Sequence, residues 1–194
     1  QIRTLFEYPT VEGLSEQLVM LTKQTSIKMA PPIVKVSRKE PLPLSFTQQR
    51  LWFLEQFTQG SSVNNIPSFL RIQGDLSIIA WEESLKAIIQ RHESLRTRFE
   101  VRDGRPVQVI HPEDDWVMNQ TDLRALDPAK REAEVKRLAE EVTLEPFDLT
   151  KGPLLRANLV QLDEKDFVFL FVMHHIAADG WSMGILLSEL MTNY

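Results

Sequence analysis

The sequence predicts an α/β protein in which a mixed β-sheet packs against helices, and three observations carry that expectation. Segments with apolar residues at every third or fourth position alternate with short β-rich runs. The run Phe167 to Met173 is apolar at every position, as a central strand covered on both faces requires. Asp103-Gly104 separates two β-rich runs, a strong hairpin signal. The order of the main elements reads helix, strand, helix, hairpin, helix, hairpin, helix.

Each element has a local cause. Near the start, Tyr8-Pro9 breaks the backbone and Thr10 can cap a helix carrying Val11, Leu14, Leu18 and Leu21. From Gln24 to Pro43 the periodicity stops, and prolines 31, 32, 41 and 43 make this a semi-extended linker reaching at most ~60 Å. Ser45 with Gln48 three residues on is a capping box that opens a helix to about Phe57, with Leu51, Leu54 and Phe57 on one face. Ile66 to Gln73 reads as a strand. Ser77 then caps a helix whose Trp81, Leu85, Ile88, Ile89 and His92 share a face. Leu95 to Val101 and Pro106 to His111 form the first hairpin. Asp127-Pro128 starts a helix with Val135, Leu138 and Val142 inward, and Pro146 ends it. Leu154 to Leu162 pairs with the apolar run across a polar turn, and Ser182 caps a closing helix to Leu190.

Composition bounds the function. The chain has 194 residues, 43% hydrophobic and 25% charged, which excludes disordered and collagen-like classes. A longest apolar run of seven residues cannot span a bilayer as a helix. A net charge of -5 argues against nucleic-acid and anionic-membrane partners. Without cysteine there is no disulfide framework, thiolate metal site or cysteine nucleophile. No signal pattern opens the chain, so a cytoplasmic location is the default. Gln1 is not an initiator methionine, and the expectation is a segment of something longer.

The chemistry concentrates where the apolar run ends, at Met173-His174-His175-Ile176-Ala177-Ala178-Asp179-Gly180-Trp181-Ser182. A buried strand opening into a polar loop before a helix is a common place for a site. Neighbouring residues at a strand end face opposite ways, so one histidine is expected to be chemical and the other structural. Gly180 permits a tight turn and sets its N–H near a helix start, where negative charge is favoured. The plainer alternative is a core histidine and an ordinary Asp-Gly turn. A metal site built on His175 and Asp179 lacks a third ligand at recognisable spacing.

His174-His175-x-x-x-Asp179-Gly180 resembles the HHxxxDG signature of the condensation domains of nonribosomal peptide synthetases. Ser45-Phe46-Thr47-Gln48-Gln49-Arg50-Leu51-Trp52 resembles their first motif, SxAQxRLW, with Thr47 where alanine is usual. Arg91-His92-Glu93-Ser94-Leu95-Arg96-Thr97-Arg98-Phe99 is similar to their second, RHExLRTxF, at every specified position. Leu5-Phe6-Glu7-Tyr8-Pro9-Thr10-Val11 with Leu14 resembles the last helix of a peptidyl carrier domain. HHxxxDG alone is shared with other acyltransferases, such as wax-ester synthases, but these do not account for the other motifs.

The resemblance implies a carrier helix over 1–23, a linker over 24–43, and the N-terminal lobe of a condensation domain over 44–194. Such domains resemble chloramphenicol acetyltransferase, with two lobes facing across a tunnel. The implied activity is amide-bond formation between a carrier-bound donor thioester and the amine of a carrier-bound acceptor, within an elongation module of antibiotic or other secondary-metabolite biosynthesis. His175 would face the tunnel and contact the amine. Asp179 would sit behind the loop in a structural ion pair with Arg96. His174 and Gly180 would shape the loop, with the Gly180 N–H available to the thioester oxygen. Ser45, Gln48, Arg50, Arg91 and His92 support the motifs, with Arg50 structural or at a carrier interface. Trp52, Trp81, Phe167, Phe169 and Phe171 are expected in the core.

No cofactor is expected to bind directly; phosphopantetheine arrives on the carrier domains. The implied partners are the upstream and downstream carriers, the second lobe and the module's adenylation domain. Heterocyclisation relatives replace the paired histidines with aspartates. That branch is disfavoured here, and an L-configured donor is expected. The lobe alone is expected to be inactive. The alternative from another class is a carrier-docking or structural module without chemistry.

Overall fold

A computed structural model of the chain describes residues 3–24, 32–58, 60–112 and 116–194. The chain divides into two compact units, Gln1–Ser37 and Arg38–Tyr194. The first contains helices α1 (Arg3–Glu7) and α2 (Val11–Gln24), and the Thr10 hydroxyl accepts from the Gly13 N–H at 3.2 Å, as expected of its cap. Most of the linker expected over 24–43 falls in this unit, and its residues 25–31 lie outside the described ones.

The second unit holds β1 (Leu42–Pro43), α3 (Phe46–Phe57), β2 (Asn65–Gln73), α4 (Ile78–Arg91), a 3-10 turn at Glu93–Arg96, β3 (Thr97–Arg102) and β4 (Arg105–Ile110). There follow β5 (Asn119–Asp122), α5 (Pro128–Leu144), β6 (Leu155–Asp163), β7 (Asp166–His174) and α6 (Gly180–Asn193). The strands form two sheets rather than one, in the orders β1-β4-β3 and β2-β7-β6-β5. The second is mixed: β5 runs parallel to β6, and the other pairs are antiparallel. The helix-packed mixed α/β lobe implied by the resemblance is the fold found.

Strand β7 organises the lobe, and its pleat explains why no polar residue interrupts Phe167 to Met173. Phe167, Phe169, Phe171 and Met173 face one cluster with Trp81, Leu85 and Ile88 of α4 and Leu186 and Leu190 of α6. Val168 and Leu170 face the other way, onto Val135, Leu138 and Val142 of α5. Both faces are therefore dry. Trp81 meets Phe169 edge-on at 5.3 Å, a favoured aromatic geometry. A third cluster of Leu44, Phe99, Leu149, Leu154 and Ile176 lies beneath the loop after β7, with Leu51 and Trp52 of α3 packed against it.

Several local expectations hold. Ser45 and Gln48 form the capping box of α3, Ser77 caps α4, and Asp127 caps α5 before Pro128. Asp103 and Gly104 take φ of 50° and 73°, the left-handed pair that a two-residue hairpin turn demands. Others are corrected. Leu42–Pro43 of the expected linker pairs with β4, drawing the chain into the first sheet. The run from Leu95 becomes a strand only at Thr97, because a 3-10 turn follows α4. Helix α6 is capped by Asp179, with Ser182 as the reciprocal third residue of a capping box. No residue of α3 is buried, and Leu54 and Phe57 remain 40% and 73% exposed instead of forming an inward face. His92 is the C-cap of α4, not part of its apolar face.

Candidate active site

The two histidines at the end of β7 have opposite environments. His174 is buried, 2% exposed. Its Nδ1 accepts the Ile176 N–H at 3.0 Å, so its proton sits on Nε2, which lies 3.2 Å from Glu55 Oε1 on α3. Phe147 lies edge-on to the ring at 5.8 Å. Burial pushes the imidazole below its ordinary pKa and outweighs the opposing pull of Glu55, so the neutral ring is favoured. This side chain is a fixed strut between strand, loop and helix.

His175 is exposed and lines an open depression of about 660 Å³. Its own N–H donates to the Asn64 carbonyl at 2.9 Å, which fixes the backbone from which the ring projects. Residues of α3, among them Thr47, Gln48, Arg50 and Leu51, form one wall; Ala178, Asp179 and Ser182 form another. The first motif and the histidine loop thus meet around one imidazole. Such a group can accept a proton from, or hydrogen-bond to, a nucleophile placed in the depression.

Asp179 is not where the resemblance put it. The side chain is exposed, and its Oδ1 accepts from the Ser182 N–H at 2.8 Å and from the Ser182 hydroxyl at 2.6 Å. Those bonds hold the carboxyl below the usual carboxylate range. Arg96 is occupied elsewhere: Nη1 donates to the His111 carbonyl at 2.7 Å and Nη2 to the Gln90 carbonyl at 3.0 Å, near the end of α4. The expected Asp179–Arg96 ion pair is absent because the aspartate caps α6 from the solvent side and the arginine satisfies carbonyls.

Gly180 begins α6 without a left-handed φ, and an added Cβ would meet nothing within 4 Å, so no tight turn requires glycine there. Its N–H lies in the first turn of the helix, where donors lack intrahelical partners. His92 Nε2 lies 2.7 Å from Glu189 Oε2, and Arg91 reaches the same carboxylate at 3.4 Å. These second-motif residues therefore join α4 to α6 and do not line the depression. Ser45 and Gln48 cap α3, and the Gln48 amide also donates to Gln108 Oε1 at 3.1 Å. Glu55 and Asn64 were missed by sequence reasoning; a glutamate on an exposed helix gives no local sign that it meets a histidine 119 positions later.

The fold and site define a class: a two-sheet α/β lobe whose central strand ends in a paired-histidine loop facing a helix of the first motif. The family model described as Condensation domain matches residues 38–194, and the chain belongs to that family. It is 79% identical over its full length to one of the linear gramicidin synthase proteins of Brevibacillus parabrevis and 53% identical to another from the same organism. It is also 39% identical, over 97% of its length, to gramicidin S synthase 2 of Brevibacillus brevis. The chain spans only 4%, 2% and 4% of those proteins. Among solved structures, the starter condensation domain of rhizomide synthetase superposes with a TM-score of 0.74 at 26% identity, covering 80% of this chain and 38% of that one. The first condensation domain of the calcium-dependent antibiotic synthetase, in complex with a substrate analogue, matches in fold with a TM-score of 0.71 at 23% identity, over 78% of this chain and 36% of that one.

Proposed function

We propose that this chain is the N-terminal lobe of a condensation domain in a nonribosomal peptide synthetase elongation module, joining a carrier-bound donor thioester to a carrier-bound acceptor amine. The observation that carries this reading is the exposed His175 ring at the edge of a depression walled by the first motif, with His174 locked behind it. One relative, 40% identical over the whole of this chain, is named a nonribosomal peptide synthetase, which supports the substrate class.

In the proposed reaction the acceptor nitrogen attacks the thioester carbon, a C–N bond forms, and the C–S bond breaks to release the carrier thiol. A free amine titrates near ~8, so about a tenth is neutral at pH 7, and no strong base is needed to begin. Attack makes the nitrogen acidic. His175 accepts that proton or holds the amine by a hydrogen bond, each worth about 100- to 10,000-fold. The Gly180 N–H, at the α6 terminus, is available to the developing oxyanion. The donor is L-configured, phosphopantetheine is delivered by the carriers, and the adenylation domain of the module supplies the acceptor. Residues 1–23 are the end of the upstream carrier.

A second lobe closes the depression, and this lobe alone does not catalyse. The open wall beside His175 supports that, as does the 38% coverage of the rhizomide synthetase domain. The test loads donor and acceptor carriers and measures dipeptidyl product by mass spectrometry, with the lobe alone and with both lobes. Product from both lobes and none from one is expected. Carrier binding without product from both lobes would instead favour a docking module.

A further inference from the structure

We propose that Glu55 is a positioning residue for the reaction, acting through His175 without touching substrate. This rests on the reading of His175 given above. Glu55 lies on α3, only 10% of its side chain is exposed, and a single oxygen serves two donors. Oε1 accepts from the Asn64 side-chain amide at 2.6 Å and from His174 Nε2 at 3.2 Å. Both donors lead to the same place. The Asn64 carbonyl receives the His175 N–H at 2.9 Å, and His174 Nδ1 receives the Ile176 N–H at 3.0 Å.

The two backbone amides that bracket the His175 side chain are therefore anchored to groups that Glu55 holds. Its carboxylate fixes the His174 tautomer, because a ring that donates from Nε2 to Glu55 must accept at Nδ1. That tautomer is the one the Ile176 N–H needs. A Glu55 side chain cut back to a methyl would leave the Asn64 amide and the buried His174 Nε2–H unpaired, and the loop would be free to rotate His175 away from the amine. Displacement of a catalytic group by about 1 Å costs on the order of 100-fold.

The experiment uses an intact two-lobed domain bearing this lobe, with loaded carriers, and compares Glu55→Ala, His175→Ala and the double variant. Glu55→Ala is expected to lower kcat roughly 100-fold while leaving KM for the acceptor carrier unchanged. In the His175→Ala background the same change is expected to do almost nothing, because the group it positions is gone. Glu55→Gln, whose amide oxygen accepts the same two bonds, is expected to recover most of the rate. An equal fold-loss in both backgrounds would overturn the proposal, as would Glu55→Gln being as slow as Glu55→Ala. If Glu55→Ala fails to fold, Glu55→Asp takes its place; its carboxylate is one methylene short, so a wild-type rate would overturn the proposal and a slow enzyme of wild-type melting temperature would support it. A fully active His175→Ala variant would defeat the reading of His175 itself, a result separable from every one of these.

Discussion

Behind the end of β7 and in front of it lie two regions that differ in almost every physical respect. Behind, His174 is closed in with Glu55, Phe147 and the Ile176 amide, both of its ring nitrogens paired. In front, His175 stands on an open wall beside Asp179 and Arg50. One residue of sequence separates them, and the pleat of the strand does the rest. The contrast shows how a fold supports an exposed ring: rigidity is supplied from the dry side, so the wet side needs little structure of its own.

The comparison breaks most visibly at His175. Its replacement by alanine in an intact domain is expected to reduce amide formation by about 100- to 10,000-fold with the melting temperature unchanged, since the side chain is exposed; stopped single-turnover assays beside a thermal melt check both halves. His174→Ala is expected to act in the opposite sense, costing about 2–4 kcal/mol of stability in urea unfolding, because it opens a cavity and strands the Ile176 amide and Glu55.

Acid sharpens the same contrast. In the fold the pKa of His174 lies below its unfolded value near ~6.5, so the unfolded chain binds the extra proton first. Its contribution to stability is complete above that pH and is lost as pH falls through it. Melting temperatures taken from pH 7.5 down to 5 are expected to decline more steeply for the wild type than for His174→Gln. Smaller still is the effect at the cap. Asp179→Ala is expected to lower the melting temperature by only a few degrees, and Asp179→Asn to restore it, because an N-cap needs an acceptor rather than a charge. Loss of folding in Asp179→Asn would instead indicate a required ion pair. Gly180→Ala, which meets open space, is expected to leave the melting temperature unchanged.

What could be read from the sequence was local. Ser45, Ser77 and Asp127 cap helices through bonds to residues two or three positions on, and the Asp103-Gly104 turn needs only its own dihedral angles. The apolar run of β7 announced its burial, and the paired histidines announced the site. What could not be read depended on distant partners. Strand β5, Asn-Gln-Thr-Asp, has no apolar alternation and exists because β6 offers it a parallel edge. Leu42–Pro43 is a strand only because β4 lies beside it. Asp179 differs from expectation for a related reason: a carboxylate buried behind the loop would need a cation, but this one is at the surface, capping a helix.

The two-sided account of the histidine pair is tested most directly by carbethoxylation with diethyl pyrocarbonate. Peptide mapping would follow the modification of each histidine while amide formation by the intact domain is measured on the same samples. The account predicts that activity falls in step with modification of His175 while His174 stays unmodified until the protein unfolds. Full modification of His175 with activity retained, or early modification of His174, would contradict it.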